Sequence, residues 1–140
     1  MAKYGAYGTK LYRGTSAAGT LIAQVSSISG PGLSLDTEDV TSHDSTGAWE
    51  EVVGTILRSG EVSLDLVYDP ANATHKYASG GLLHDLVSRA AVAYTLEFPD
   101  TAGTEWAFNA LVTGFEPDAP VDGALTATAK MKITGQPTLV

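Results

Sequence analysis

The stretch "EVSLDLVY", residues 61–68, is the clearest strand in the chain and indicates the kind of fold to expect. Val62, Leu64 and Leu66 face one way, and the polar residues between them face the other. A period of two residues is typical of a strand with one buried and one solvated face. The "DP" that follows ends the strand, because proline cannot donate to a sheet.

Three other segments show the same alternation, at Leu33–Thr41, Val92–Phe98 and Leu125–Ile133. In the last of them the predicted inward side chains are Leu125, Ala127, Ala129, Met131 and Ile133. Thr20–Ser29 and Glu105–Phe115 are also apolar and β-branched enough to form strands. The apolar face of the second switches sides between Ala110 and Leu111, and this predicts a bulge there.

One segment has helical spacing instead. Its apolar residues recur three or four positions apart, as on one face of a helix: Leu82, Leu83, Leu86, Val87 and Ala90. Gly80 and Gly81 would each cost about 1 kcal/mol inside a helix, so the helix is expected to begin near them. The order of elements predicts a mainly β fold, a sandwich or barrel of antiparallel strands with one flanking α-helix.

Two segments lack either period. Residues 1–19 are rich in Gly, Ala, Thr and Tyr and are expected to form a flexible arm, with a short extended piece at Thr9–Tyr12. Between residues 42 and 60 the alternation is lost, which predicts a long loop. A loop of this length is uncommon in a compact domain unless it has a function. We expect a single domain over residues 1–140, with the arm at about 1–19 and the loop at about 42–60.

The composition restricts the possible partners. The formal net charge is −8, and the eight Lys and Arg residues are scattered along the chain. Gripping DNA through its phosphates requires clustered cations, so DNA binding is not expected. The chain has no cysteine for thiolate chemistry. No apolar run approaches the roughly 18 residues of a membrane helix, so no membrane partner is expected.

Chemical motifs are weak. His75 and His84 would lie on opposite sides of a common helix, and would not share a metal ion. Glu50 and Glu51 are adjacent and would point opposite ways in a strand, although a hydrolase that used either carboxylate with His43 remains an alternative. No nucleophile or phosphate-binding motif is present. We therefore expect no catalytic site, no metal site and no cofactor.

The two tryptophans suggest different environments. Trp106 stands beside Phe108 in a predicted strand, which favours the core. Trp49 stands in the long loop, where a large aromatic residue favours an anchor in a partner. A carbohydrate-binding β-sandwich that stacks sugars on an exposed Trp49 and Trp106 is the alternative.

The chain resembles the major tail tube proteins of long-tailed bacteriophages. The resemblance begins with "DVTSHDSTGAWEEVVGTILRSGEVSLDLVYDP" at residues 39–70, which includes a loop with glycines at 54 and 60, and continues with "THK" at 74–76. It extends to "FPD…G…WAFNALVTGFEP", where Gly114–Phe115 precedes a turn. It covers roughly Gly8 to Thr134, and the order of the motifs carries it rather than any one of them.

The resemblance implies a virion protein with a β-sandwich and a flanking helix. Members of this family form rings, usually hexamers, whose inner sheets join into a continuous barrel. The rings stack into a hollow tube around the tape measure protein, below a tail terminator, and the genome passes through without being specifically bound. Assembly takes place in the host cytoplasm. A net charge of −8 suits such a channel, because like charges repel DNA.

In this family the long loop and the terminal arms make the contacts between rings. The resemblance therefore implies interface roles for ten residues of this chain: His43, Asp44, Ser45, Trp49, Glu50, Glu51, Leu57, Arg58, Tyr4 and Tyr7. The polar faces of two alternating strands are candidates for the channel wall: Ser63, Asp65, Thr126 and Thr128. A terminator or head–tail connector, which makes one ring and does not stack, stays open as a further alternative.

Overall fold

The computed structural model describes residues 2–139 as nine strands and one α-helix. The strands are β1 (Lys10–Arg13), β2 (Thr20–Leu21), β3 (Val25–Ser29), β4 (Ser34–Asp39), β5 (Val52–Arg58), β6 (Glu61–Val67), β7 (Val92–Glu97), β8 (Glu105–Asp118) and β9 (Thr126–Thr138), and the helix is α1 (Leu82–Ser88). Seven strands form one sheet in the order β2-β1-β7-β8-β9-β6-β3, and β4 and β5 form a separate hairpin. All the pairings are antiparallel. Within these residues, no helix has the length and apolar character to cross a membrane.

The large sheet rolls into a barrel because its two edge strands are neighbours in sequence. Only residues 22–24 separate β2 at one edge from β3 at the other. A flat sheet of seven strands would hold its edges about 29 Å apart, whereas this connection can span at most about 14 Å. Ile22 N–H donates to Leu11 O at 3.0 Å, and Val67 N–H donates to Gln24 O at 2.9 Å. The connection is thus bonded to both sides of the closure.

The inside of the barrel is the hydrophobic core. It takes alternate residues from β6 and β9, as their period of two predicts, together with residues of β1, β7 and β8. The members are Leu11, Ile22, Val62, Leu64, Leu66, Leu82, Tyr94, Leu96, Phe108, Ala110, Val112, Ala127, Ala129, Met131 and Ile133. The mainly β fold with one flanking helix is confirmed.

Helix α1 is fastened to the barrel by a buried carboxylate. Asp85 accepts hydrogen bonds from Arg13 Nε and Nη2, each at 3.0 Å, and from the Tyr94 hydroxyl at 2.6 Å. The bond to Asp85 raises the pKa of Arg13. Burial, and then the bond to Asp85, raises the pKa of Tyr94 well above its ordinary value. The helix begins after Gly81, where any side chain would collide with the Lys76 carbonyl oxygen.

The two segments predicted to be irregular contain strands. Residues 52–58, inside the predicted loop at 42–60, form β5, and residues 10–13, inside the predicted arm at 1–19, form β1. Strand β5 shows no alternation, and every one of its residues is exposed. The alternation at Leu33–Thr41 does locate β4, but the expectation of a half-buried strand there is wrong, because Leu33 and Leu35 are exposed. Strand β1 agrees with the short extended piece predicted at Thr9–Tyr12, shifted by one residue.

Three smaller predictions also need correction. The predicted strand at 20–29 is broken at Gln24, whose φ of 59° ends β2 and redirects the chain to β3. The predicted bulge between Ala110 and Leu111 is wrong, because the register shifts lie on either side of it and burial keeps alternating there. Leu125, predicted to face inward, is exposed.

Candidate assembly surfaces

The hairpin formed by β4 and β5, residues 34–58, is an apolar surface that the chain does not cover. Leu57 is 80% exposed and Trp49 is 76% exposed. Six more large apolar residues are exposed on the hairpin or directly beside it: Leu33, Leu35, Val40, Val52, Val53 and Ile56. An isolated two-stranded hairpin is marginally stable in water, and a contiguous apolar surface typically marks a contact site.

Local bonds rather than burial hold the shape of the hairpin. Leu35 pairs with Leu57 in register, and Arg58 donates to Asp36 at 2.8 Å across the two strands. Towards the tip, Val40 N–H donates to Glu51 O at 2.9 Å. These bonds define the backbone but leave the apolar side chains in solvent.

The tip of the hairpin presents Trp49 on a tight turn. Ser42 N–H donates to Ser45 Oγ at 3.0 Å, and a short 3-10 turn follows at Thr46–Ala48. Gly47 has a φ of 66° and lies so close to the Trp49 ring that a side chain there would be crowded. Ser45 is therefore buried as part of the turn, while Trp49 is directed outward.

The hairpin also concentrates negative charge. Between residues 34 and 58 it carries six carboxylates and one guanidinium, a net charge of −5 out of −8 for the whole chain. Hydrogen bonds from Thr41 lower the pKa of Asp39, so this carboxylate holds its charge to lower pH than usual. A partner for this surface must offer both apolar area and positive charge.

Of the ten predicted interface residues, eight lie on the hairpin: His43, Asp44, Ser45, Trp49, Glu50, Glu51, Leu57 and Arg58. All of these except Ser45 are exposed. Sequence reasoning missed the other exposed aliphatic residues of the two strands. Leu35 alternates with polar residues and was assigned to a half-buried strand, whereas Val52, Val53 and Ile56 follow neither helical nor strand period.

The other two predicted residues lie elsewhere. Tyr7 is 99% exposed, and Tyr4 lines an open groove of about 600 Å³ together with Ile28, Phe98 and Trp106. No residue of the hairpin lines that groove. The structure thus places the N-terminal tyrosines and the hairpin on separate surfaces of one copy.

The four predicted channel residues share one face of the barrel wall. In the register of β6 and β9, Asp65 is opposite Thr128, and the Thr128 hydroxyl donates to Asp65 Oδ1 at 2.9 Å. Ser63 is on the same face, two residues before Asp65, and Thr126 is two residues before Thr128. Lys132 also lies on this face, opposite Glu61, so charges of both signs meet on it.

The residues of the alternative functions lie in different environments. His43, Glu50 and Glu51 are exposed on the hairpin. Within residues 2–139, no group of three or more potential ligands could hold a metal ion. Trp106 packs edge-on against Phe98 at 5.1 Å and is half-buried, so it does not form an exposed pair with Trp49.

His75 has a structural role. It is fully buried, and its Nδ1 accepts a hydrogen bond from Asp69 N–H at 3.2 Å. Its Nε2 therefore carries the proton and donates to Ala23 O at 2.7 Å. The ring ties the segment before α1 to the connection that closes the barrel.

Comparison with solved structures identifies the fold. The chain superposes on a chain from the virion of a native gene transfer agent particle, with a TM-score of 0.74 and 18% identity over 99% of both chains. It superposes on a chain from the tail of an empty gene transfer agent particle, described with C6 symmetry, with a TM-score of 0.70 and 19% identity over 94% and 93% of the two chains. A chain from the sheath/tube terminator of an extracellular contractile injection system gives a TM-score of 0.72 and 14% identity over 100% and 98%. The antiparallel barrel with its flanking helix is therefore the fold of tail and injection tubes.

The sequence itself matches the lambda phage tail tube protein family over residues 5–140. The chain belongs to this family, and it is a structural component of the virion. No curated protein matches it in sequence.

Proposed function

We propose that copies of this chain close into hexameric rings and that the rings stack into the hollow tube of a phage tail. The observation that carries the proposal is the β4–β5 hairpin, with its apolar side chains exposed on both strands. A surface of this kind is stable when a neighbouring copy covers it. The C6 symmetry of the related gene transfer agent tail supports the ring number.

The proposal makes the hairpin and the N-terminal segment the contacts between subunits. His43, Asp44, Trp49 and Leu57 are exposed on the hairpin and Tyr7 is exposed near the N-terminus, as such contacts require. The remaining predicted interface residues would act with them: Ser45, Glu50, Glu51, Arg58 and Tyr4. Residues 1–140 then act as one tail tube domain, in which the flexible parts are the N-terminal segment and the hairpin.

The polar face of β6 and β9 is proposed to line the channel. Ser63, Asp65, Thr126 and Thr128 would supply a hydrated wall on which Lys132 of β9 is opposite Glu61. DNA would pass this wall without specific binding, because the chain as a whole repels phosphate with its charge of −8. The tape measure protein would fill the channel during assembly in the host cytoplasm, a tail terminator would end the tube, and the chain itself would have no catalytic activity.

A terminator or connector that forms a single ring is the second candidate. It is supported by the superposition on the sheath/tube terminator chain of an injection system. The two candidates share a fold and differ in whether the hairpin contacts a second ring.

Negative-stain electron microscopy of the purified chain, dilute and then concentrated, tests the proposal. Stacked rings with a stain-filled channel are expected on concentration. Leu57→Asp should abolish stacking because it places a charge in the covered surface, whereas Leu57→Met, which keeps the site apolar, should stack like the original chain. Rings that never stack would favour the terminator, and monomers at every concentration would contradict both.

A further inference from the structure

The hairpin and helix α1 leave the barrel at opposite ends. Strand β3 ends at Ser29 opposite Ser63, and β6 begins at Glu61, so the hairpin joins the barrel at this end. The segment that leads to α1 follows Val67, at the other end of β6. Seven strand residues separate the two points by about 20 Å.

The end that carries α1 exposes a surface with apolar and positive character. We call Lys76, Tyr77, Val87 and Arg89 the α1 patch; all four are exposed. The Tyr77 ring packs against His84, at 6.3 Å between centroids, and so lies against the helix. In the part of the chain that the structure describes, the ion pairs use Arg13, Arg58 and His84 and leave Lys76 and Arg89 without an acidic partner.

Arg89 occupies a backbone position that favours glycine. It caps the C-terminus of α1 with a φ of 60°, in the left-handed region. Glycine accepts this conformation without the steric cost that other residues incur. The chain therefore places a free cation beside the helix at a local cost in stability.

The hairpin and the α1 patch are complementary. The hairpin offers apolar side chains and a net charge of −5, and the patch offers two apolar side chains and two cations. The turn between β8 and β9, at the same end, contains Asp118 and Asp122 and would repel the hairpin. The hairpin cannot contact the α1 patch of its own copy, because the barrel lies between them.

The same charges disfavour the wrong arrangement. Two rings that met through their hairpin ends would oppose net charges of −5 at every contact. Head-to-tail contact avoids this repulsion, and a heterologous contact that does not close on itself propagates into an open filament. The charge distribution thus favours a tube over a closed pair of rings.

From these observations we propose that the hairpin of one copy seats on the α1 patch of a copy in the adjacent ring. This inference rests on the proposed function, since it presumes that rings stack. It assigns to the second copy a receiving surface built from Lys76, Tyr77, Val87 and Arg89.

Charge reversal with compensation tests the pairing. The double variant Lys76→Glu, Arg89→Glu should form rings, but the concentration at which they stack should rise by at least about tenfold, since attraction becomes repulsion at each of the repeated contacts in a ring. Adding Glu50→Lys and Glu51→Lys to the same chain should restore stacking. The charge-conserving variant Lys76→Arg, Arg89→Lys should stack like the original chain.

Sedimentation velocity and negative-stain images provide the readout, and a thermal melt of each variant verifies that it folds. If the double reversal stacks like the original chain, or if the four-substitution chain does not recover, the pairing is overturned while stacking of the original chain still supports the proposed function. If the original chain never stacks, the proposed function fails first. The outcomes of the two proposals are therefore distinguishable.

Discussion

Strands β5 and β6 are both seven residues long and are separated by only Ser59 and Gly60, yet their environments are opposite. In β6 every second side chain is buried in the barrel, whereas in β5 all seven are exposed. Gly60 permits this change, because its φ is 71° and a side chain would collide with the Gly32 carbonyl oxygen. One strand is stabilised by its own chain, and the other has apolar residues that only a neighbour can cover.

The contrast teaches that apolar content and burial within a chain are separate quantities. Strand β5 contains Val52, Val53, Ile56 and Leu57, and is no less apolar than β6. Its side chains lack the period of two because neither face has to be polar once both are covered. In an assembling protein, an apolar segment without a period can indicate an interface.

The largest expected effect on the free energy of unfolding comes from one of two matched leucine substitutions. Leu64→Asp would place a charge in the core at a residue that is 1% exposed, and should prevent folding at a cost of more than about 5 kcal/mol. Leu57→Asp should change the free energy of unfolding of the monomer by less than about 0.5 kcal/mol. Urea unfolding of dilute protein, followed by circular dichroism, checks both. A destabilised Leu57→Asp monomer would show that β5 is stabilised within its own chain.

The next largest effect tests whether α1 is stabilised by contacts within its own chain, as β6 is, or lacks them, as β5 does. Asp85→Ala removes the acceptor of Arg13 and Tyr94 and should lower the free energy of unfolding by about 2–3 kcal/mol. The value is placed below that of a fully buried pair because the Arg13 side chain keeps 32% of its surface exposed. Asp122→Ala, in an exposed turn, is the control and should leave the urea midpoint unchanged. Equal midpoints for both variants would mean that the helix is held by packing alone.

Sequence pattern predicted the self-contained half of the molecule well. The alternation at 61–68 and at Leu125–Ile133 identified β6 and β9 and most of their inward residues, and the helical spacing located α1. These elements obey the period because a single chain buries one of their faces. The alternation of apolar residues does not predict that the barrel closes, because closure depends on a three-residue connection and on Gln24 in a left-handed conformation.

The assembly surfaces were predictable only in part. The resemblance to tail tube proteins directed attention to the segment at 42–60, and the family is confirmed. The interface and channel roles of individual residues stay predictions. The α1 patch was missed because helical spacing groups Val87 with Leu82, whereas Leu82 is buried and Val87 is exposed. Periodicity cannot distinguish a core face from a face that a second copy covers.

A smaller effect is expected from the Tyr94 hydroxyl, and it depends on pH. Since the pKa of Tyr94 is raised in the folded state, its contribution to stability is complete below about pH 10, where unfolded tyrosine is protonated, and declines as the pH rises further. Tyr94→Phe should lower the free energy of unfolding at pH 7 by about 1–2 kcal/mol, through loss of the bond to Asp85. It should also weaken the alkaline decline, which urea titrations between pH 7 and 11 measure. An alkaline decline of undiminished slope in the variant would assign it to other groups.

The smallest effect is expected within the hairpin, and it completes the comparison of β5 with β6. The Arg58–Asp36 bond at 2.8 Å is the ion pair that joins β5 to β4, but both side chains are well exposed. Exposed pairs contribute little, so Asp36→Asn should cost the monomer about 0.5 kcal/mol or less. Amide hydrogen exchange compares the two strands directly. In the monomer, β5 amides should exchange much faster than β6 amides, both in the original chain and in the variant. In the tube, the β5 amides should be protected. Slow exchange of β5 in the monomer would mean that the hairpin is stable alone, and its exposed apolar residues would then need another explanation than a covering neighbour.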